Sequence, residues 1–500
     1  MDNIARFSNF RRQSKKGILV IYLNILYKAF KAFWFLLFLF VQKFSKIPES
    51  TLLYIYIGVL ALFVFFLIRA FLIFKNFQFK IENKHFILQK GILKKTYTSI
   101  PFDRIQNINF KQNIIQQIIA VHEVNIETAG SSKAEISIKA LSFEEASALK
   151  QAITIFDETT TTTANINAEE KPLLKIGFSA LMKVSFTENH LQSLLLLVAV
   201  LVGFFQQISD LFDGLGKQEL LDNFYAKNAS SLENSVLLII GFLVFLSIIA
   251  VLSSIVRVVL RHFNLTVFVK NSALEIYQGL TTKKSVILKK DKVQHITISH
   301  NPIKKKLGIS FITFKQAISG KVKTKQDKII KIVGCKVHQV SAIKDLLFPN
   351  ENLEVLDKSF SDNYFRVRLY LRGFLVLCFL NILFYLIFEN SNVFWVNSLL
   401  IPIFIVAIEV SFKKRHYLFN TEVLLVGSGI IETHKTYVPF FKVQNVKLKQ
   451  TIFQAQKNVA DLVFQTASGK IKIPSIQLEK AQQIYNYTLF KVETSKKSWM

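Results

Sequence analysis

Hydrophobic positions along this chain follow two regimes. Long uncharged runs are separated by stretches in which short apolar runs and apolar–polar alternation prevail. A helix needs roughly 20 apolar residues to cross the hydrocarbon core of a bilayer. Residues 234–256 reach that length without a charge, and 191–209 and 390–408 come close. Residues 51–68 continue through Arg69 to Phe74, and 373–388 is lengthened by Arg372, whose aliphatic stem reaches towards the interface. The first run is the weakest. Only 32–42 is uncharged, so a crossing at about 25–44 needs Lys28, Lys31 and Lys43 to extend out of the apolar layer. A helix lying in the interface is the alternative there. The spans pair as 25–44 with 51–74, 190–209 with 234–256, and 369–388 with 393–412.

Behind each pair the pattern changes to that of strands closed by one helix. In the first copy, runs such as 77–81, 85–88, 96–101, 105–110, 123–128 and 135–140 are separated by turn signals at Glu82-Asn83, Lys90-Gly91 and Ala129-Gly130-Ser131-Ser132. Val124-Asn125-Ile126-Glu127-Thr128 alternates as a half-buried strand does. Ser142 with Glu145 forms a capping-box signature, and Phe143, Ala146, Leu149 and Ile153 fall on one helical face. Short strands with regular turns predict a barrel or sandwich.

The three copies keep one register. Gly91, Gly279 and Gly429 are each followed fifteen residues later by Gln106, Gln294 and Gln444. The predicted fold class is therefore a set of membrane α-helical spans plus all-β/α+β soluble modules. A two-helix transmembrane hairpin and an antiparallel barrel with a C-terminal helix occur three times. The segments are a basic N-terminus with the first hairpin (1–75), the first soluble module (76–156), a linker with an amphipathic segment (157–189) and the second hairpin (190–261). There follow the second module (262–349), a linker (350–368), the third hairpin (369–415), the third module (416–492) and a tail (493–500). Residues 172–186 predict an amphipathic helix on the inner leaflet.

Charge sets the orientation. The 63 Lys+Arg against 34 Asp+Glu give +29, and the excess gathers at the outer ends of each pair, as at Arg257 and Arg261, Arg366, Arg368 and Arg372, and Lys413, Lys414 and Arg415. Residues 210–233, within a pair, hold five acids and two lysines. Lys/Arg-rich ends stay in the cytoplasm, which places both termini and all three modules there. The same excess fits attraction to anionic lipid rather than nucleic acid, for which no motif is present. Lys304, Lys305 and Lys306 are candidates for contact with the membrane surface, alongside the clusters at Lys94-Lys95, Lys283-Lys284, Lys289-Lys290 and 321–331. Glu409, at the inner end of the last span, predicts an interfacial ion pair with Lys413 or Lys414. Cys335 and Cys378 lie in different segments, so no disulfide is expected.

Catalytic chemistry has no candidates. There is no His-Glu-x-x-His, Gly-x-Ser-x-Gly, P-loop or dinucleotide fingerprint, and His295 and His300 lack partners at zinc-ligand spacing. Catalytic, cofactor and metal residues are therefore expected to be none.

The run Gly91-Ile92-Leu93, Ile100-Pro101-Phe102-Asp103-Arg104-Ile105-Gln106-Asn107 and 124–130 resembles the bacterial membrane-anchored PH-like domain family (YdbS/YdbT-like). Nearly the whole chain is covered, because three-copy members also place each copy after paired spans. The motif positions are Gly91, Pro101, Arg104 and Gln106; then Gly279, Lys292 and Gln294; then Gly429, Pro439, Lys442 and Gln444. Their expected role is structural: turn glycines, and an outward Arg104 and Gln106 flanking an inward Ile105. The resemblance implies a non-enzymatic inner-membrane protein whose three cytoplasmic PH-like modules bind a partner protein, a peptide or anionic lipid, with a link to envelope stress or resistance. It also implies a companion membrane protein of the same family. A transporter or lipid-handling protein using the six spans is the alternative.

Overall fold

The computed structural model describes residues 6–43, 48–128, 136–155, 172–188, 190–214 with scattered positions to 227, 236–270, 273–316, 330–348, 358–388, 395 and 397–497. The linker at 157–171, most of the lysine-rich 321–331 stretch and the side chain of Gln106 lie outside the described residues.

Among the described residues there are three helix pairs: Gly17–Lys43 with Glu49–Lys75, His190–Gly214 with Val236–His262, and Asn363–Phe388 with Asn397–Lys414. Among the described residues, four stretches are long and apolar enough to cross a membrane: Gly17–Trp34, Ser50–Lys75, Ile240–His262 and Asn363–Leu386. Ser193–Phe204 is a shorter apolar helix segment. The four long stretches are 6–22% buried. Their apolar side chains thus point away from protein, the signature of a lipid-facing surface. In the third pair Asn381 and Asn397 exchange amide hydrogen bonds of 3.1 and 2.7 Å. Such polar pairs hold helices together where hydrophobicity gives no preference.

The repeat begins earlier than its sequence signature. Arg11–Arg12, Leu174–Lys175 and Ser359–Phe360 are short strands that precede the three hairpins, and each pairs with the first strand after its hairpin. The segments read as N-terminus and linkers therefore each contribute an edge strand. A two-residue strand carries too little alternation to be seen as one. The helix predicted within 172–186 is Phe178–Phe186. Its Leu181 and Val184 are buried in the second module's core against Val333 and Ile332, which corrects its assignment to the leaflet. The first turns of Gly17–Lys43 likewise pack on the first module. A Cβ on Gly17 would come within 2.9 Å of Ala140.

Each module has two sheets, but the modules are not three separate barrels. Strand Ile105–Asn113 of the first module pairs with Thr282–Lys289 of the second, joining them in one seven-stranded sheet. Val293–His300 of the second pairs with Thr433–Pro439 of the third in another. Strand Val423–Ser428 shows what this does to the core. Leu424 and Val426 face the third module's core, while Val423 and Leu425 face the second's. A strand buried on both faces is apolar throughout, hence Val423-Leu424-Leu425-Val426. The closing helices Phe143–Ile155, Val337–Leu347 and Leu478–Thr494 cover the sheets, with Ser142 Oγ accepting from the Glu145 amide at 3.2 Å.

Candidate functional site: the seam between the first two modules

The motif glycines sit in turns between strands. Their φ angles are +122° (Gly91), +104° (Gly279) and +124° (Gly429), and an added Cβ would lie 1.8–2.1 Å from a carbonyl oxygen three residues on. No other residue fits this geometry. The Gly279 amide donates to Phe263 O and the Leu280 amide to Leu260 O, so this turn is tied to the end of the second hairpin. Lys414, closing the third hairpin, donates to the carbonyls of Ile430 (2.5 Å) and Ile431 (3.0 Å) in the matching turn.

The other motif positions diverge with their neighbours. Pro101 and Pro439 each lead a strand into a 3₁₀ turn whose Phe102 or Phe440 plugs the core. Arg104 is exposed beside buried Ile105. Gln294 is fully buried, whereas Gln444 is exposed. Lys292 is half-buried, 3.9 Å from Asp291. Lys442 is buried, and its ammonium donates to Asp291 O across the module boundary at 2.5 Å. Burial lowers it to about 8, with Lys292 acting in the same direction and Asp291 opposing. The motif turns thus do not converge on a shared pocket.

Lys304 is not a surface cation. It is 4% exposed, its ammonium lies 3.3 Å from Glu432 of the third module, and it stands 3.8 Å over the Phe311 ring. Its register explains this. Ten residues after Gln106 and Gln444 come Gln116 and Gln454, which are also buried in the first turn of a short helix. Lys304 occupies the same slot, after Asn301 at the helix cap. This buried position could have been found by extending the glycine–glutamine register. Lys305 and Lys306 remain exposed. Glu409 is paired with Arg366 at 2.7 Å and accepts from Tyr370 at 2.6 Å, in place of the expected Lys413 or Lys414. Arg368 reaches 3.2 Å from Asp461, clamping the third hairpin to its module.

The two seams differ in chemistry. Between the second and third modules, Leu425 and Tyr437 close an apolar contact, with Phe348 stacked on Tyr437 at 6.3 Å. Four residues before the turn glycine, where the third module has Leu425, the second has Glu275. Glu275 is 4% exposed, paired with Lys150 of the first module at 2.5 Å and accepting from Tyr277 at 2.8 Å. Burial works to raise its pKa, but the contacts with Lys150, Tyr277 and Lys270 together outweigh that and hold it below the usual carboxylate range. Lys150 and Tyr277, the two partners of Glu275, line a cavity of about 580 Å³ here.

Its apolar lining comes from Phe110, Phe143, Phe263 and Leu280, and its cations include Lys111 and Lys283. Phe143, expected on the helix's buried face, is instead 69% exposed and borders this opening. His122 lines it too, and burial first, then Lys283, hold its imidazole below its ordinary value. The cavity lies at the foot of the second hairpin, since Phe263 follows directly on Val236–His262. Apolar walls next to lysines suit a molecule with one greasy and one anionic end.

The bacterial PH domain model matches residues 33–154, 234–350 and 373–489. This chain belongs to the bacterial PH domain family. It is similar to the UPF0699 transmembrane protein YdbT of Bacillus subtilis (strain 168), 26% identical over 407 residues, which span 79% of this chain and 80% of that protein. The family model starts inside each helix pair and ends with each closing helix, so it omits the three strands that precede the hairpins.

Proposed function

We propose that this membrane-associated bacterial PH-domain protein is a non-enzymatic inner-membrane scaffold that holds an anionic lipid in the seam between its first two modules. Six helices span the membrane in this reading, and both termini and all modules are cytoplasmic. The carrying observation is the cavity of about 580 Å³ at the base of a hairpin, apolar at Phe110, Phe143 and Phe263 and edged by Lys111 and Lys283. Each lysine near an anionic surface contributes roughly 1 kcal/mol to membrane attraction. The apolar walls of the seam would convert that general attraction into one occupied site.

The test uses the full chain in proteoliposomes containing photoactivatable phosphatidylglycerol. Crosslinks are expected in peptides from 105–122 and 263–285. Unlabelled phosphatidylglycerol should compete, phosphatidylcholine should not, and Lys111→Glu with Lys283→Glu should remove most of the signal. Labelling confined to the hairpin helices would rule the site out.

A further inference from the structure

The seams are built to one rule. Counted from the motif Gln of one module and the motif Gly of the next, Gln112↔Lys283, Lys111↔Lys284 and Phe110↔Ser285 occupy the same positions as His300↔Thr433, Ser299↔His434 and Ile298↔Lys435. The second seam thus repeats the register of the first without a slip, although the side chains differ almost completely. Backbone pairing, not any one side-chain contact, is what the two seams share.

Among the described residues the array is left open at both ends. Strand Thr96–Pro101 of the first module is the terminal strand of its sheet, and Val443–Lys449 of the third is the terminal strand of its own. These are the counterparts of the strands that join the seams. Their exposure differs accordingly among the described residues. Gln444 is exposed where Gln294 is fully buried, and Tyr97 is 66% exposed where Ser285 is half-buried. Uncovered edges present a row of backbone donors and acceptors, and soluble proteins usually blunt them. Lysines are one such device, and the third-module edge carries Lys447 and Lys449. Yet Lys111, Lys283 and Lys284 lie within the first seam without preventing it from pairing.

We propose that the chain assembles head to tail with a second copy of itself, Val443–Lys449 of one copy pairing with Thr96–Pro101 of the next in the register of the two internal seams. That register places Lys449 opposite Thr96, Leu448 opposite Tyr97, Lys447 opposite Thr98 and Val446 opposite Ser99. The contact is heterologous, so each copy offers one edge of each kind and the array grows until it closes as a ring or continues as a row. The proposal is independent of the lipid site, which lies at an internal seam.

The test is disulfide trapping in native membranes. Two full-length chains with different affinity tags are co-expressed, one carrying Tyr97→Cys and the other Leu448→Cys, and the membranes are oxidised with copper phenanthroline. A disulfide-linked species holding both tags is expected, and it should disappear when Gln444→Cys replaces Leu448→Cys. Phe110→Cys with Ser285→Cys in one chain, at the matching positions of an internal seam, confirms that this geometry can be trapped. Closure of that internal pair with no doubly tagged species would overturn the proposal. So would a Tyr97→Cys/Leu448→Cys chain that closes only on itself, or an adduct only with some other protein.

Discussion

At the scale of single residues, the repeat register explains positions that composition misassigns. Lys304 sits in a run of three lysines that reads as a cationic face, but its slot is filled by glutamine in the other two modules. Lys304→Gln should therefore be tolerated. Lys304→Ala removes both the Glu432 contact and the packing on Phe311, and should cost about 2 kcal/mol in thermal unfolding of the detergent-solubilised protein. His295 gives a pH dependence. It is buried in the seam between the second and third modules, its Nδ1 2.9 Å from Ser468 Oγ. Burial first, then Lys315, lower its pKa from 6.5 to about 4. Between those values the unfolded chain binds a proton that the folded chain refuses. Stability is therefore complete above 6.5 and declines as pH falls towards 4, by up to roughly 3 kcal/mol from this group. Unfolding midpoints of wild type and His295→Gln, measured from pH 7 to 4, should diverge in that window. Parallel curves would show that His295 carries no such load.

At the scale of elements, much of the fold was legible in the sequence. The hairpin helices follow from uncharged length, the motif turns from glycines at a constant spacing, and Phe143–Ile155 from its cap and its Ala146, Leu149, Ile153 face. The strands before the hairpins were not legible. Leu174–Lys175 is two residues long, and its partner Thr266–Lys270 lies beyond a whole hairpin, so no local pattern announces the pairing. The cavity was hidden for a similar reason. Its walls come from both the first and the second module, where Lys150 meets Glu275, 125 residues away in the chain. Leu174 tests the wider repeat. It is 2% exposed in the second module's core, and Leu174→Ala should destabilise that module by about 2–5 kcal/mol. A change within a few tenths, read by hydrogen exchange over 266–300, would mean that the preceding strand is dispensable.

At the scale of the whole molecule, the shared sheets turn three small modules into one body. A module of this size buries little apolar surface alone. Here Leu418, Val423, Leu425 and Tyr437 of the third module complete the core of the second. Such sharing needs all three modules on one side of the bilayer, which is also what the lysine and arginine distribution predicts. The most direct test is membrane-impermeant thiol labelling of intact spheroplasts carrying single cysteines at Lys94, Lys305 or Lys457, one exposed site in each module. All three should stay unlabelled until the membrane is permeabilised and then react together. Labelling of any one of them from outside would contradict a single cytoplasmic body.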